Sequence, residues 1–390
     1  MSAARPEPFT LHVDEAAITD LHQRLARTRL PDQAPGDPWA YGTSVEALAS
    51  LLDHWRTGFD WRRHEAALNA WPQYKVRIAD IDLHYLHVPG KGLERGPAPM
   101  PLILSHGWPG SVFEFMKILG PLTDPAAHGG DPADAFTVIA PSLPGYGLSF
   151  APGQKRFGCA EIADCFAELM IDVLGYQRFA AQGGDWGSFI TSRIGWAHPK
   201  HVIGIHLNMM PLRREPAEQS KQSDEERRYA GELQEFLMEE TGYQWIQGTR
   251  PQTLAVGLTD SPAGLAAWIL EKFQRWTDCG GDPTRALTVD EMLADISLYW
   301  FTGCINASFW PYYDRRHAPW PVPSAPPITV PTGYSQFPCE ILRPPRSLAE
   351  KVYTDIRRWS VHDKGGHFAA MEQPQVLVHE IREMFRPLRN

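Results

Sequence analysis

The sequence predicts an α/β protein: a mostly parallel, doubly wound sheet with an inserted helical lid and a helical amino-terminal segment. Three observations carry this. Short apolar runs alternate with helical patterns between residues 101 and 207. The alternation stops after Met210, and residues 211–318 read as helical and rich in aromatics. Strand patterns then return beyond the proline-rich stretch APWPVPSAPP (Ala318–Pro327), which forbids helix.

Residues 1–72 carry apolar side chains at helical spacing, with Ala17, Ile18, Leu21 and Leu25 on one stripe and a second stripe from Val45 to Trp55. KVRIADIDLHYLHV (Lys75–Val88) reads as two strands around a short turn. PLILS (Pro101–Ser105) is a buried strand, with a helix expected from about Ser111. FTVIA (Phe136–Ala140), RFAAQ (Arg178–Gln182) and VIGIHL (Val202–Leu207) are further strands, separated by helices at Ala160–Leu174 and Ser188–Ala197. Strands alternating with helices imply a parallel sheet covered on both faces, with its chemistry at the carboxyl ends of the strands. In the insertion, Ser261-Pro262 opens one helix with a cap and a first-turn proline. Thr288-x-x-Glu291 opens another as a capping box. ITVPTG (Ile328–Gly333) and IRRWSV (Ile356–Val361) supply two last strands, and Val376–Met384 a closing helix. The expected division is therefore 1–72 amino-terminal helices, 73–210 first part of the core, 211–318 lid and 319–390 second part of the core. A lid over the strand ends would close a pocket there.

Composition narrows the function. A formal net charge of −9 argues against a nucleic-acid partner, whose phosphates would be repelled. No run of about 20 apolar residues spans a bilayer. The start, MSAARPEPFTLHV, lacks a basic segment followed by an apolar one, so no secretory signal or membrane anchor is expected. Five scattered cysteines suit reduced thiols in a cytoplasmic protein better than a disulfide framework. No Cys-x-x-Cys or His-Glu-x-x-His spacing points to a metal, and no cofactor is expected.

QGGDWGS (Gln182–Ser188) has the form Gly-x-nucleophile-x-Gly between a strand and a helix, with Asp185 at the nucleophile position. Aspartate there sets the reaction class. A serine attacking a saturated carbon would leave an ether, which water does not readily cleave. An aspartate leaves an ester whose carbonyl belongs to the enzyme, and water can attack that carbonyl. The substrate should then carry an electrophilic saturated carbon with a leaving group, an epoxide or an alkyl halide. SHGWPGS (Ser105–Ser111) follows the PLILS strand, where the second oxyanion amide of such a site arises. The backbone N–H groups of Trp108 and Trp186 are the expected pair. KGGHFAAMEQP (Lys364–Pro374) places His367 in a glycine-bearing loop after the last strand, as the expected base, with His362 and His379 as nearby alternatives. Glu340, in QFPCEIL, follows the preceding strand and is the expected orienting acid. Asp363 lies too near His367 in the chain, and the loop after VIGIHL offers Asn208 but no carboxylate.

The segments HGWPGSVFEF, PSLPGYGLS, GGDWG, DSPAGLAAWILEKF, GGHFAAMEQP and HWRTGFDWRRHEAALNAWPQY together resemble the microsomal-type epoxide hydrolases of the α/β-hydrolase superfamily. The similarity runs along nearly the whole chain. It implies an α/β-hydrolase fold with an amino-terminal meander wrapping core and lid, a nucleophile at Asp185 and a charge-relay pair of Glu340 and His367. It implies two lid tyrosines holding the epoxide oxygen: Tyr243 in EETGYQWIQGTRP and Tyr312 in NASFWPYYDRR, where Tyr313 is the adjacent alternative. It makes a homodimer plausible. Membrane-bound members carry an apolar amino-terminal anchor; the sequence shows no such stretch, so a soluble protein is expected.

The chemistry of the tyrosines is consistent with that role. Ring opening develops charge on the epoxide oxygen, and a phenol with a pKa of about 10 stays protonated to donate to it. The expected reaction converts a small-molecule epoxide and water to a vicinal diol. A haloalkane dehalogenase would share the aspartate and is told apart by halide release. A catalytically silent binding protein of the same fold would turn over neither.

Overall fold

The computed structural model describes residues 5–212, 222–320, 322 and 326–389. The first four residues, part of the expected start of the lid, and residues 321 and 323–325 of the proline-rich stretch lie outside them.

Nine strands form one sheet in the order β1-β2-β3-β5-β4-β6-β7-β8-β9. β1 (Glu7–Pro8), β2 (Gln73–Ile78) and β3 (Ile81–Val88) run as an antiparallel edge joined to β5 (Phe136–Pro141). From β5 the sheet is parallel through β4 (Met100–Ser105), β6 (Phe179–Gly183), β7 (Val202–Leu207), β8 (Thr332–Gln336) and β9 (Ile356–Val361). The parallel strands are apolar on both faces because helices cover both. Leu102 and Leu104 of β4 enter one apolar cluster and Ile103 the other, the two-residue period of a strand. The chain leaves β4 toward β5 on one side and β6 on the other. That reversal opens a crevice at the carboxyl ends of β4 and β6.

The amino-terminal helices are α1 (Glu15–Leu25), α2 (Val45–Thr57) and α3 (Trp61–Asn69). In the core, α4 (Met116–Thr123), α5 (Cys159–Glu168) and α6 (Trp186–Ala197) follow β4, β5 and β6. Between β7 and β8 come α7 (Asp224–Glu235), α8 (Gly242–Thr249), α9 (Pro251–Asp260), α10 (Pro262–Trp276), α11 (Val289–Thr302), α12 (Ile305–Ser308) and α13 (Trp310–His317). α14 (Arg346–Ala349), α15 (Ala369–Glu372) and α16 (Pro374–Phe385) complete the core. Ser261 caps α10 through the Gly264 amide, and Thr288 with Glu291 closes a capping box on α11. The amino-terminal helices pack on the lid. The Trp55 indole N–H donates to Ser297 Oγ of α11 at 2.9 Å, and Thr43 Oγ1 donates to the Ala267 carbonyl of α10 at 2.7 Å.

Several element boundaries differ from the sequence reading. The helix expected from Ser111 starts as a 3-10 turn, Val112–Phe115, and α5 ends in a π turn, Leu169–Val173. The strand expected at Ile328–Gly333 begins only at Thr332. Pro331 has no N–H for the ladder, and its carbonyl alone accepts, from the Ile205 amide at 2.8 Å. The strand therefore runs through Gly333, Tyr334 and Ser335, whose low apolar content hid it.

Candidate active site

Asp185 sits between β6 and α6 with φ 48° and ψ −127°, a conformation costly for a residue with a side chain. The turn holds because the chain closes tightly around it. A Cβ on Gly187 would lie 1.9 Å from the Ser105 carbonyl oxygen, so only glycine lets β4 and α6 meet there. A Cβ on Gly107 would lie 2.2 Å from Asp185 Oδ1, so glycine also lets the loop after β4 reach the carboxylate. The Trp108 N–H donates to Asp185 Oδ1 at 2.8 Å. Trp186 is the first residue of α6, and its amide lies outside the helix ladder.

The opposite carboxylate oxygen, Oδ2, stands 3.4 Å from His367 Nε2, and His367 Nδ1 stands 2.6 Å from Glu340 Oε1. Glu340 follows β8, and His367 lies between β9 and α15; both are buried. The His367 amide donates to the Trp276 carbonyl at 2.8 Å, which ties this loop to the end of α10 in the lid. Burial favours neutral imidazole, but Glu340 and Asp185 outweigh it and hold the His367 pKa well above its usual value. The protonated ring is thus favoured between the two carboxylates. The other histidine beside the loop, His106, is held neutral by burial, its pKa pushed down to about 4, and its Nε2 accepts from the Leu143 amide.

Tyr243 of α8 and Tyr312 of α13 are buried side by side, ring centroids 5.6 Å apart. Tyr243 stacks on Trp108 at 5.4 Å, and Tyr312 meets Trp186 edge-on at 4.7 Å. Both tyrosines therefore lie over the two residues that flank Asp185. Tyr313 faces away, stacked on Trp310 and His317. Burial, with Tyr243 and Asp185 adding to it, raises the Tyr312 phenol well above its usual pKa.

The same architecture is found in proteins of known name. Residues 6–115 match the family described as epoxide hydrolase N terminus, and residues 100–240 the α/β-hydrolase fold. A protein of Stigmatella aurantiaca, named only provisionally as an epoxide hydrolase, is 45% identical over 382 residues, 98% of this chain and 85% of that protein. Epoxide hydrolase 1 of Oryctolagus cuniculus is 37% identical, covering 96% of this chain and 87% of its own. The crystal structure of juvenile hormone epoxide hydrolase from the silkworm Bombyx mori superposes with a TM-score of 0.90 at 32% identity, over 99% of this chain and 95% of that one. The chain belongs to the epoxide hydrolases of the α/β-hydrolase fold.

In this epoxide hydrolase no single helix among the described residues is long and apolar enough to cross a membrane. No cluster of three or more metal-binding side chains occurs among them. Sequence reasoning missed four residues that the fold brings to the site. Trp276 packs edge-on against His367 at 5.0 Å. The buried Lys272 ammonium lies 4.3 Å from the centre of the Tyr243 ring and 2.5 Å from Glu271. Asp295 is 1% exposed, and its pKa is pushed up to about 7 by burial, partly opposed by the Ser111 hydroxyl. Neither of its oxygens makes a hydrogen bond of normal geometry among the described residues, so the Ser111 contact is a weak one. Glu114 lines a small cavity together with Asp185 and His367. The signal for the two acids was present: each interrupts an apolar run, SVFEFM and MLADISLYW.

Proposed function

We propose that this epoxide hydrolase forms diols through an ester on Asp185, resolved by water that His367 activates. The observation that carries the reading is the unequal hold on the two Asp185 oxygens. Oδ1 is fixed by the Trp108 amide, and Oδ2 faces His367 Nε2. Oδ2 is then the oxygen that attacks an epoxide carbon, breaking its bond to the ring oxygen. Tyr243 and Tyr312 donate to that oxygen, and one of them gives up its proton. Lys272 over the Tyr243 ring favours that donation, since a cation on the ring face stabilises the charge left behind.

Ester formation removes the Asp185 charge, and His367 loses one of the two carboxylates that keep it protonated. Its proton passes to the tyrosinate left by ring opening, and the neutral imidazole needed as base appears when it is required. Water then attacks the ester carbonyl, with the oxyanion received by the amides of Trp108 and Trp186. The C–O bond to the product breaks, and the diol oxygen takes a proton back from His367. Glu340 orients the ring throughout. The five free cysteines, four of them buried, suit the reducing cytoplasm we assign to it.

Single turnover of styrene oxide in oxygen-18 water tests this. The label should enter Asp185, and the first diol should carry unlabelled oxygen from the enzyme. Label found in the first diol and absent from Asp185 would show direct attack by water and overturn the ester.

A further inference from the structure

A cavity of about 20 Å³ adjoins Asp185 and His367. All its lining residues come from the ends of core strands and the loops and helix beyond them, and none from the helices between β7 and β8. It is therefore separate from the tyrosine side of the nucleophile. The volume suffices for one water, which needs roughly 10–15 Å³ of this kind of space and two to four polar partners. The polar lining supplies them: Ser105, Glu114, Gln182 and Asn208 beside Asp185 and His367. Gln182 and Asn208 bond each other, Nε2 to Oδ1 at 2.8 Å. Ser105 Oγ is buried and has no hydrogen-bond partner among the described residues.

Glu114 is the unusual member. It is half-buried and borders both this cavity and a second one of about 120 Å³. The second cavity is lined by His64 of α3, Lys117 and Glu291 among others. The carboxyl group folds back over the loop after β4. A Cβ on Gly110 would lie 1.5 Å from its Oε1. Burial, then the nearby Asp295 and Asp185, raise its pKa well above the usual carboxylate value against the opposing pull of His367 and Gly107. Burial thus favours the neutral acid at Glu114, which limits the negative charge beside Asp185. The Glu114 carbonyl oxygen remains an acceptor.

We propose that Glu114 and Ser105 hold the hydrolytic water in this cavity, on the face of Asp185 opposite the lid tyrosines. The proposal rests on the ester mechanism above. The water gives one hydrogen bond to the Glu114 carboxyl and one to His367 Nε2, and it accepts one from Ser105. These three contacts aim its free lone pair at the ester carbonyl carbon of Asp185. In the step, the O–H bond toward His367 breaks as oxygen bonds to that carbon. The tetrahedral oxyanion then collapses, expelling the diol oxygen, which takes the proton from His367. Asp185 is left as a free acid and returns its proton to His367, which restores the starting carboxylate and protonated ring. Glu114 keeps its own proton and is recovered unchanged. The larger cavity on its other side offers a refilling route while the diol still occupies the lid side.

The test separates the half-reactions by stopped-flow tryptophan fluorescence and intact-protein mass, with styrene oxide as probe. Glu114→Leu should slow ester hydrolysis about 10- to 100-fold, the cost of one lost polar contact to a buried water, and leave alkylation within about threefold. The ester should accumulate. Glu114→Gln, which keeps a carbonyl acceptor, should recover most of the hydrolysis rate. Ser105→Ala, the milder change if Glu114→Leu does not fold, should slow hydrolysis several-fold on its own. Hydrolysis at the wild-type rate in Ser105→Ala or in folded Glu114→Leu overturns the proposal. Equal loss of both steps also overturns it. Glu114 would then act only through the loop whose Trp108 amide positions Asp185 for alkylation. Failure of the wild type to form any adduct would instead remove the ester mechanism itself.

Discussion

Glu340 and Glu380 are both buried, at 2% and 3% exposure, and both neighbour the last strands of the sheet, yet their surroundings differ. Glu380 of α16 is fully engaged. Its Oε2 accepts from Arg358 Nε at 2.5 Å and Ser360 Oγ at 2.7 Å, and its Oε1 from Arg358 Nη2 at 2.9 Å. Burial alone would raise its pKa, but Arg358 and Ser360 hold the ionised form more strongly and bring it down to about 2. Among the described residues Glu340 has one cationic partner, His367, whose protonation Asp185 also favours. Its Oε1 accepts from His367 Nδ1 and the Ile341 amide, both at 2.6 Å, and its Oε2 has no partner among the described residues. A permanent cation with matched donors makes a carboxylate a static fastening between α16 and β9. On the proposed mechanism a titrating partner makes the other carboxylate part of a proton cycle, at the cost of a half-satisfied buried group.

Removing the titrating partner breaks the comparison at its most sensitive point. His367→Ala should lower turnover by about 10⁴-fold or more, because ester hydrolysis loses its base. Alkylation should persist, and the enzyme should accumulate with the added mass of one intact epoxide. Mass spectrometry reads this directly. A folded variant that takes up no mass would place His367 before ring opening. An alkyl halide would instead add its mass less hydrogen halide, which separates the two chemistries.

Glu340→Gln sharpens the comparison. The amide still occupies the space but no longer stabilises the imidazolium, so hydrolysis should fall about 10- to 1,000-fold while alkylation changes little. The pH dependence should move too. Glu340 raises the His367 pKa, so its loss lets the ring become neutral at lower pH, and the basic form should govern hydrolysis from a lower pH upward. An unmoved profile would mean that Glu340 packs against the ring and does no more.

The smallest effect on activity is expected at the static pair. Glu380→Gln should leave turnover within about twofold and reduce stability by about 1–3 kcal/mol at neutral pH, measured by urea unfolding. Its folded pKa is depressed below the ordinary 4.5, so its contribution is present above that value and is lost as pH falls toward about 2. The stability gap between wild type and variant should accordingly close in acid. A gap that persists through that range would assign the loss to packing.

How much of this site could be read in advance depended on distance along the chain. QGGDWGS announced a strand, a strained turn and a helix within a few residues, because glycine spacing and chain direction set that geometry locally. Ser261 and Thr288 announced helix starts for the same reason: a capping side chain reaches an amide three residues on. The start of β8 was misplaced because apolar content pointed to Ile328–Gly333, while the ladder obeys the missing N–H of Pro331.

The sequence alone therefore determined the layered α/β plan, the turn that lifts Asp185 and the caps that begin α10 and α11. Each depends on dihedral preferences and contacts a few residues apart. Only the tertiary structure decided that Tyr312 and not Tyr313 stands beside Tyr243, that Glu340 reaches His367, and that Glu114 turns inward beside a small cavity. Those pairings span long stretches of chain. They exist because the strand order β5-β4-β6-β7-β8-β9 brings several loop ends to one edge of the sheet and the lid closes over them. Spacing in the sequence carries no measure of that order, which emerges only when burial of the whole core selects one arrangement.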